Sequence, residues 1–178
     1  NAVDSGISHL VMEVSSQAMK YGRVRDMGFD VGCFLNIGAD HISPIEHPNF
    51  EDYFASKLKL FDACKVGCVN TDADHAQRIL DHAKERCPVV TFGSHESDDV
   101  YCSHMEKRED GIYFTVRSEV YNWEFSITMP GFFNVSNALA ALAMCQVLGV
   151  PEAHVRSGLR RARAAGRMQV YESRDKQV

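Results

Sequence analysis

The chain has 178 residues, 45% hydrophobic and 24% charged, with a formal net charge of −5 at pH 7. The length suits one domain, alone or with a fragment of a second, and the composition suits a globular protein with a sizeable core. The acidic balance argues against a broad nucleic-acid surface. No apolar run approaches the roughly 18 residues of a membrane span, and no signal-peptide or lipidation pattern occurs.

The chain opens on Asn1 rather than Met, which reads as a piece of something longer. His9-Leu-Val-Met-Glu-Val-Ser15 has the pattern of a buried strand with polar residues at its carboxyl end. Ser15 and Ser16 can then cap a short helix through about Lys20. Gly22 and Gly28 lead to a second strand over Val31–Asn36, and a loop rich in Pro and His precedes a helix from about Phe50 to Ala63. Val66–Asn70 reads as a strand, Asp74–Arg86 as a helix and Pro88–Phe92 as a fourth strand. This alternation predicts an α/β fold, a mostly parallel sheet flanked by helices.

The middle changes character. Val100–Glu106, Gly111–Arg117 and Trp123–Met129 are three further strands joined by turn-like stretches, so an antiparallel hairpin region is added to the parallel sheet. A helix from Asn134 carries Val135, Leu139, Leu142 and Cys145 or Val147 on one stripe and stops at Gly149; Pro151 opens another to about Ala164. Six cysteines at 33, 64, 68, 87, 102 and 145 lie in apolar segments without a C-x-x-C. They favour reduced, mostly buried thiols in a cytoplasmic protein over a zinc site.

One residue breaks the pattern. At about 100° per residue, Phe50, Tyr53, Phe54 and Phe61 all fall within about 60° of Lys57, whereas Lys59 points about 200° away. Lys57 thus sits in the middle of an aromatic face. A buried ammonium is expensive unless it is paired, neutralised or modified. Snorkelling is the ordinary explanation for a lone lysine, but this one follows Asn36-Ile-Gly-Ala-Asp40-His41 at the end of a strand. Parallel sheets bind ligands outside the carboxyl ends of their strands, and Glu13, Ser15, Asn36 and Asp40-His41 all fall there. Glu and His with water suit a hard ion such as Mg2+. Asn134 is placed as an N-cap with Asn137 on the same side, where two amides could read a base edge or a phosphate or serve only as caps. Arg167, in Gly166-Arg167-Met168, could contact a nucleotide phosphate.

Five motifs in order carry a resemblance: Met12-Glu-Val-Ser-Ser16, Asn36-x-x-x-Asp40-His41, Tyr53-x-x-x-Lys57-x-x-Leu60-Phe61, Gly131-x-Phe-Asn-Val-Ser-Asn137 and Gly166-Arg-Met168. The chain resembles the central ATPase domain of the Mur ligases of peptidoglycan synthesis, the MurE branch in particular. The resemblance implies that in the full-length enzyme Lys57 is carbamylated by CO2, which turns a cation into an anion, while plain lysine is expected in this fragment, and that Glu13 and His41 ligate Mg2+. It implies that Asn134, Asn137 and Arg167 contact ATP, and that Ser15 and Arg23 hold the UDP-N-acetylmuramoyl-peptide. Lys57 and His41 are then the catalytic pair. The implied reaction phosphorylates the peptide's terminal carboxylate, and an incoming amino acid attacks the acyl phosphate to form an amide.

By the same resemblance, residues 1–165 are an incomplete central domain and 166–178 lead toward a C-terminal domain. No G-x-x-x-x-G-K-[ST] occurs, so the phosphate loop is expected before Asn1, and the fragment by itself is expected to be inactive. The expected setting is a cytoplasmic monomer in cell-wall synthesis, and so in cell shape and division, that binds neither nucleic acid nor membrane. Three departures are visible: Ile42-Ser-Pro-Ile-Glu-His47 where the MurE branch usually has Leu-Asp-Tyr-His, Tyr21 for a usual glutamine, and Gln169 for a common glutamate. They leave open a related ligase, of the cyanophycin-synthetase, folylpolyglutamate-synthetase or MurT kind, or a non-catalytic module of the same fold.

Overall fold

In the computed structural model the described residues are 4–38, 42–43 and 45–163. Six strands form one sheet in chain order: β1 Phe29–Phe34, β2 Cys64–Asn70, β3 Val89–Gly93, β4 Val100–Arg108, β5 Gly111–Ser118 and β6 Glu124–Ile127. β1 through β4 are parallel neighbours, while β4–β5 and β5–β6 are antiparallel. The expected mostly parallel sheet with an added hairpin region is therefore the observed one. The register pairs Cys33 with Cys68 and Cys68 with Val90, so small and β-branched side chains stack across the middle.

Helices cover both faces. α1 Ser16–Lys20 precedes β1; α2 Phe50–Leu58 continues through a 3-10 turn, Lys59–Asp62; α3 is Ala76–Lys84, α4 Phe133–Val147 and α5 Glu152–Arg161. The side-chain period of 2 in a strand sorts consecutive residues to opposite faces. Cys68 joins the core beneath α4 and α5, with Phe92, Phe114, Val116 and Leu142, whereas Val69 joins the core beneath α2 and α3, with Phe34, Phe54, Phe61 and Ile79. Phe61 fills the groove left by Gly67, where an added Cβ would come within 2.9 Å of its ring.

Two expectations fail. Residues 7–15 form no strand: Leu10 and Val11 are 75% and 91% exposed, and α1 begins directly at Ser16. An apolar run needs a neighbouring ladder for its N–H and C=O groups before it becomes a strand, and β1 bonds to β2 alone among the described strands. The second failure is at α4. Its N-cap is Phe132, which makes no side-chain cap bond, so Asn134 lies inside the first turn and is not the cap. The cysteines are all unpaired, and burial pushes the Cys33 thiol up to about 12.

Candidate active site

β1 leaves the sheet at Phe34, and α2 returns across the same end. Asn49 caps α2 by accepting from the Asp52 N–H at 2.9 Å, and Glu51 and Asp52 place negative charge in its first turn. Tyr53, Phe54 and Leu58 are buried along the helix, which fixes its rotation on the sheet. That rotation brings Lys57 over the end of β1. Its Nζ donates to the Asn36 carbonyl at 2.6 Å and lies 5.0 Å from the centroid of the Phe34 ring and 5.5 Å from that of Tyr53.

Lys57 is half-buried and Lys59 exposed, the division the helical angles predict. Desolvation lowers the Lys57 pKa below its ordinary value. Two aromatic faces and one carbonyl stabilise the cation, but no carboxylate pairs with it among the described residues. The balance moves the amine toward its neutral, nucleophilic form.

The remaining expected site residues are less assembled. Glu13 is exposed and makes no hydrogen bond or ion pair among the described residues. Ser15 is also exposed, and its Oγ caps α1 by accepting from the Ala18 N–H at 3.1 Å. Arg23 is exposed, with its guanidinium 6.0 Å from the Tyr21 ring centroid. Asn134 Nδ2 donates to the Pro130 carbonyl at 2.7 Å, and Asn137 Nδ2 donates to Asn134 Oδ1 at 3.1 Å. The two amides thus form one unit at the start of α4, with Asn137 exposed at its outer end. His41 and Arg167 lie outside the described residues. Among the described residues no group of three or more His, Cys, Asp or Glu side chains is placed to hold a metal ion.

Two residues that the sequence reading left without a role stand out. Asn70, at the carboxyl end of β2 and 8% exposed, donates through Nδ2 to the Leu35 carbonyl at 2.8 Å and to Ser136 Oγ at 3.4 Å, and its Oδ1 accepts from the Asp72 N–H at 3.0 Å. It ties the exit of β1 to the first turn of α4. A polar residue closing an otherwise apolar parallel strand was the available signal. His47 is fully buried, with its two ring nitrogens 2.6 Å from Asp52 Oδ2 and 2.9 Å from Ser16 Oγ. Periodicity offers no signal for a loop histidine.

The mostly parallel sheet with helices on both faces and a desolvated lysine over the carboxyl end of β1 define an α/β domain. Residues 1–145 match the Mur ligase middle domain. The chain is 38% identical over 173 residues to the UDP-N-acetylmuramoyl-L-alanyl-D-glutamate–L-lysine ligase of Enterococcus faecalis, covering 94% of this chain and 34% of that protein. It is also 38% identical over 175 residues to the UDP-N-acetylmuramyl-tripeptide synthetase of Lactococcus lactis, covering 98% of this chain and 35% of that one. Among solved structures, a UDP-N-acetylmuramoyl-L-alanyl-D-glutamate–2,6-diaminopimelate ligase superposes with a TM-score of 0.86 at 24% identity, over 96% of this chain and 36% of that one. The Thermotoga maritima MurF ligase, solved with ADP, has a TM-score of 0.70 at 16% identity, over 85% of this chain and 35% of that one. The chain belongs to the Mur ligase middle-domain family, and it spans about a third of the length of the curated relatives it matches.

Proposed function

We propose that this chain is the greater part of the central domain of an ATP-dependent ligase that joins an amino acid to a UDP-N-acetylmuramoyl-peptide in cell-wall synthesis. The relatives whose names state that activity support the reading, and Lys57 is the observation that carries it. A lysine held on two aromatic rings, with burial depressing its pKa, is a costly feature in a purely structural helix. It is the arrangement wanted where an amine must add CO2. The neutral Nζ attacks the carbon of CO2, the C=O pair moves to oxygen, and one proton leaves to solvent, giving a carbamate of charge −1.

By the chemistry of its donors the set would suit Mg2+. A carbamate on Lys57, the carboxylate of Glu13 and the imidazole of His41 provide oxygen and nitrogen ligands for a hard ion that retains much of its water. Bound there, Mg2+ supplies neutralisation of charge on the phosphoryl group in transfer. The chain's own part is positional. In this reading α2 and β1 hold Lys57, Asn134, Asn137 and Arg167 would contact the nucleotide, and Ser15 and Arg23 the acceptor. Phosphoryl transfer from ATP to the acceptor carboxylate gives an acyl phosphate and ADP. The amine of the incoming amino acid then attacks the acyl carbon, phosphate leaves, and an amide remains. Residues 1–165 belong to this domain and 166–178 lead out of it. Lacking a G-x-x-x-x-G-K-[ST] loop, the 178-residue chain by itself does not turn over ATP. The working protein is a cytoplasmic monomer.

The test uses the full-length protein that carries this chain. Phosphate release should require ATP, Mg2+, a UDP-N-acetylmuramoyl-dipeptide and an amino acid together. 13C-labelled bicarbonate should give a carbamate resonance that Lys57→Ala abolishes. Phosphate release that ignores the nucleotide-peptide but responds to a folate or to a polymer acceptor would move the assignment to another ligase.

A further inference from the structure

The segment Ile42–His47 ends on the most enclosed polar group at this end of the molecule. His47 has no exposed surface. Its Nδ1 lies 2.6 Å from Asp52 Oδ2, on α2, and its Nε2 lies 2.9 Å from Ser16 Oγ, on α1. With Nδ1–H donated to the carboxylate, Nε2 is left to accept the Ser16 hydroxyl proton. Lys20, one turn beyond Ser16 on α1, donates to the same Asp52 oxygen at 2.7 Å and to the Glu46 carbonyl at 3.1 Å. The Asp52 carboxyl is accordingly held below its usual pKa, by the Lys20 bond first and the His47 bond second. The ring centroid of His47 is 5.2 Å from that of Tyr53, the ring that also flanks the Lys57 amine. Ile42 bridges to His47, and Ser43 N–H donates to the His47 carbonyl at 3.0 Å.

We propose that His47 is a positioning residue that fixes α1, and with it Ser15, relative to α2 and Lys57, so that its loss acts on the acceptor side of the reaction and spares the nucleotide side. This rests on the ligase reading for the roles of Ser15 and Lys57. α1 is five residues long, too short to hold itself together or in place. Its position is set by what grips it: buried Met19 packs it, and Ser16 and Lys20, four residues apart on one helix face, tie it to His47 and Asp52. Burial of the whole imidazole makes the bridge directional: each nitrogen left without its partner is an unsatisfied polar atom in a dry site. A histidine that only filled space would not need both nitrogens aimed at different helices.

Two replacements separate the arms of the bridge. In His47→Gln the amide falls near the position of Nε2 and keeps the Ser16 bond; in His47→Asn it falls near Nδ1 and keeps the Asp52 bond. In the full-length protein, His47→Asn should raise the KM for the UDP-N-acetylmuramoyl-dipeptide about tenfold, leaving the KM for ATP within about twofold. His47→Gln keeps the Ser16 arm and loses the Asp52 arm, so it also unties α1 from α2 and should raise the same KM by about three- to tenfold, again with the KM for ATP within about twofold. Amide hydrogen exchange on the same proteins should show residues 16–20 exchanging about tenfold faster in His47→Asn, with α3 and β4 unchanged. Equal rises in both KM values, or a lower melting midpoint with unaltered KM and unaltered exchange in α1, would overturn the proposal. If the unaltered protein releases no acceptor-dependent phosphate, the ligase reading fails. The exchange result then still decides whether His47 holds α1.

Discussion

Two apolar runs of similar composition meet opposite fates. Val66-Gly-Cys-Val69 becomes the centre of a sheet, with Cys68 and Val69 wholly buried, while Leu10-Val-Met12 lies irregular and open, with Val11 91% exposed. Hydrophobicity alone does not separate them. β2 has hydrogen-bonded partners on both sides and helices on both faces, and these complete its backbone bonds and bury its side chains. The earlier run has neither among the described residues. A strand is a property of a neighbourhood, and the local pattern only nominates candidates. The same contrast divides the candidate site. Lys57 stands on the packed side, fixed by rings and a carbonyl, and Glu13 on the unpartnered one.

The contrast can be broken most sharply by truncation on each side. Phe61 is 1% exposed, stacks on Phe34 at 6.0 Å between centroids, and fills the space above Gly67. Phe61→Ala should cost about 3–5 kcal/mol in chemical denaturation of this chain. Val11→Ala should change stability by less than about 0.5 kcal/mol. Comparable losses at the two positions would mean that the first run is packed after all.

Lys57 offers a trade between stability and activity. A lysine whose folded pKa is lowered destabilises the folded state below that pKa, and the cost fades as pH rises toward the ordinary value of 10.5. Lys57→Met should therefore raise the melting midpoint near pH 7, and the gain should vanish above about 10.5. In the full-length protein the same change should lower kcat about 10²–10³-fold. A variant that lost stability without losing activity would make Lys57 a packing residue.

Much of this was legible beforehand, for reasons that can be named. Strand and helix alternation is written in short-range periodicity, so the parallel sheet, the hairpin region and the inward face of Lys57 could all be read from spacing. Helix ends depend on which main-chain groups find partners, so the α2 helix gives way to a 3-10 turn at Lys59, and α4 starts one residue before Asn134. His47 and Asn70 were not legible as anchors because each acts across a long separation in sequence. His47 reaches back 31 residues to Ser16, and Asn70 reaches forward 66 to Ser136. Nothing local distinguishes such a histidine from a surface one; Asn70 shows locally only as a polar strand end, and its partners at Leu35 and Ser136 are not written nearby. Their roles come from topology, which brings the ends of β1, β2 and α4 together.

Asn70 tests that topological link directly. Asn70→Leu keeps the volume and leaves the Leu35 carbonyl and the Asp72 N–H without their side-chain partner, which should cost about 1–3 kcal/mol. Asn70→Asp keeps an acceptor for the Asp72 N–H but sets a carboxylate oxygen against the Leu35 carbonyl in a nearly buried site, so it should cost at least as much as Leu. A neutral Leu variant would show that water replaces both bonds.

The smallest effect belongs to Asp52, the carboxylate shared by Lys20 and His47. Its folded pKa is lowered, so its contribution is fully present above the unfolded value of 3.8 and is lost as pH falls through the lower folded value. Thermal melts of the unaltered chain and of Asp52→Asn should then differ at pH 7, where the carboxylate is charged in both folded and unfolded states. The gap should close progressively below about pH 4, as the carboxyl takes up a proton and comes to resemble the amide. Salt discriminates further. Asp52 is partly exposed, so the Lys20 attraction should weaken at about 1 M ionic strength, while the His47 arm, with a fully buried ring, should persist. A gap that 1 M salt removes entirely would assign Asp52 to the ion pair alone, and a gap that outlasts it would place the imidazole at the junction of the two helices.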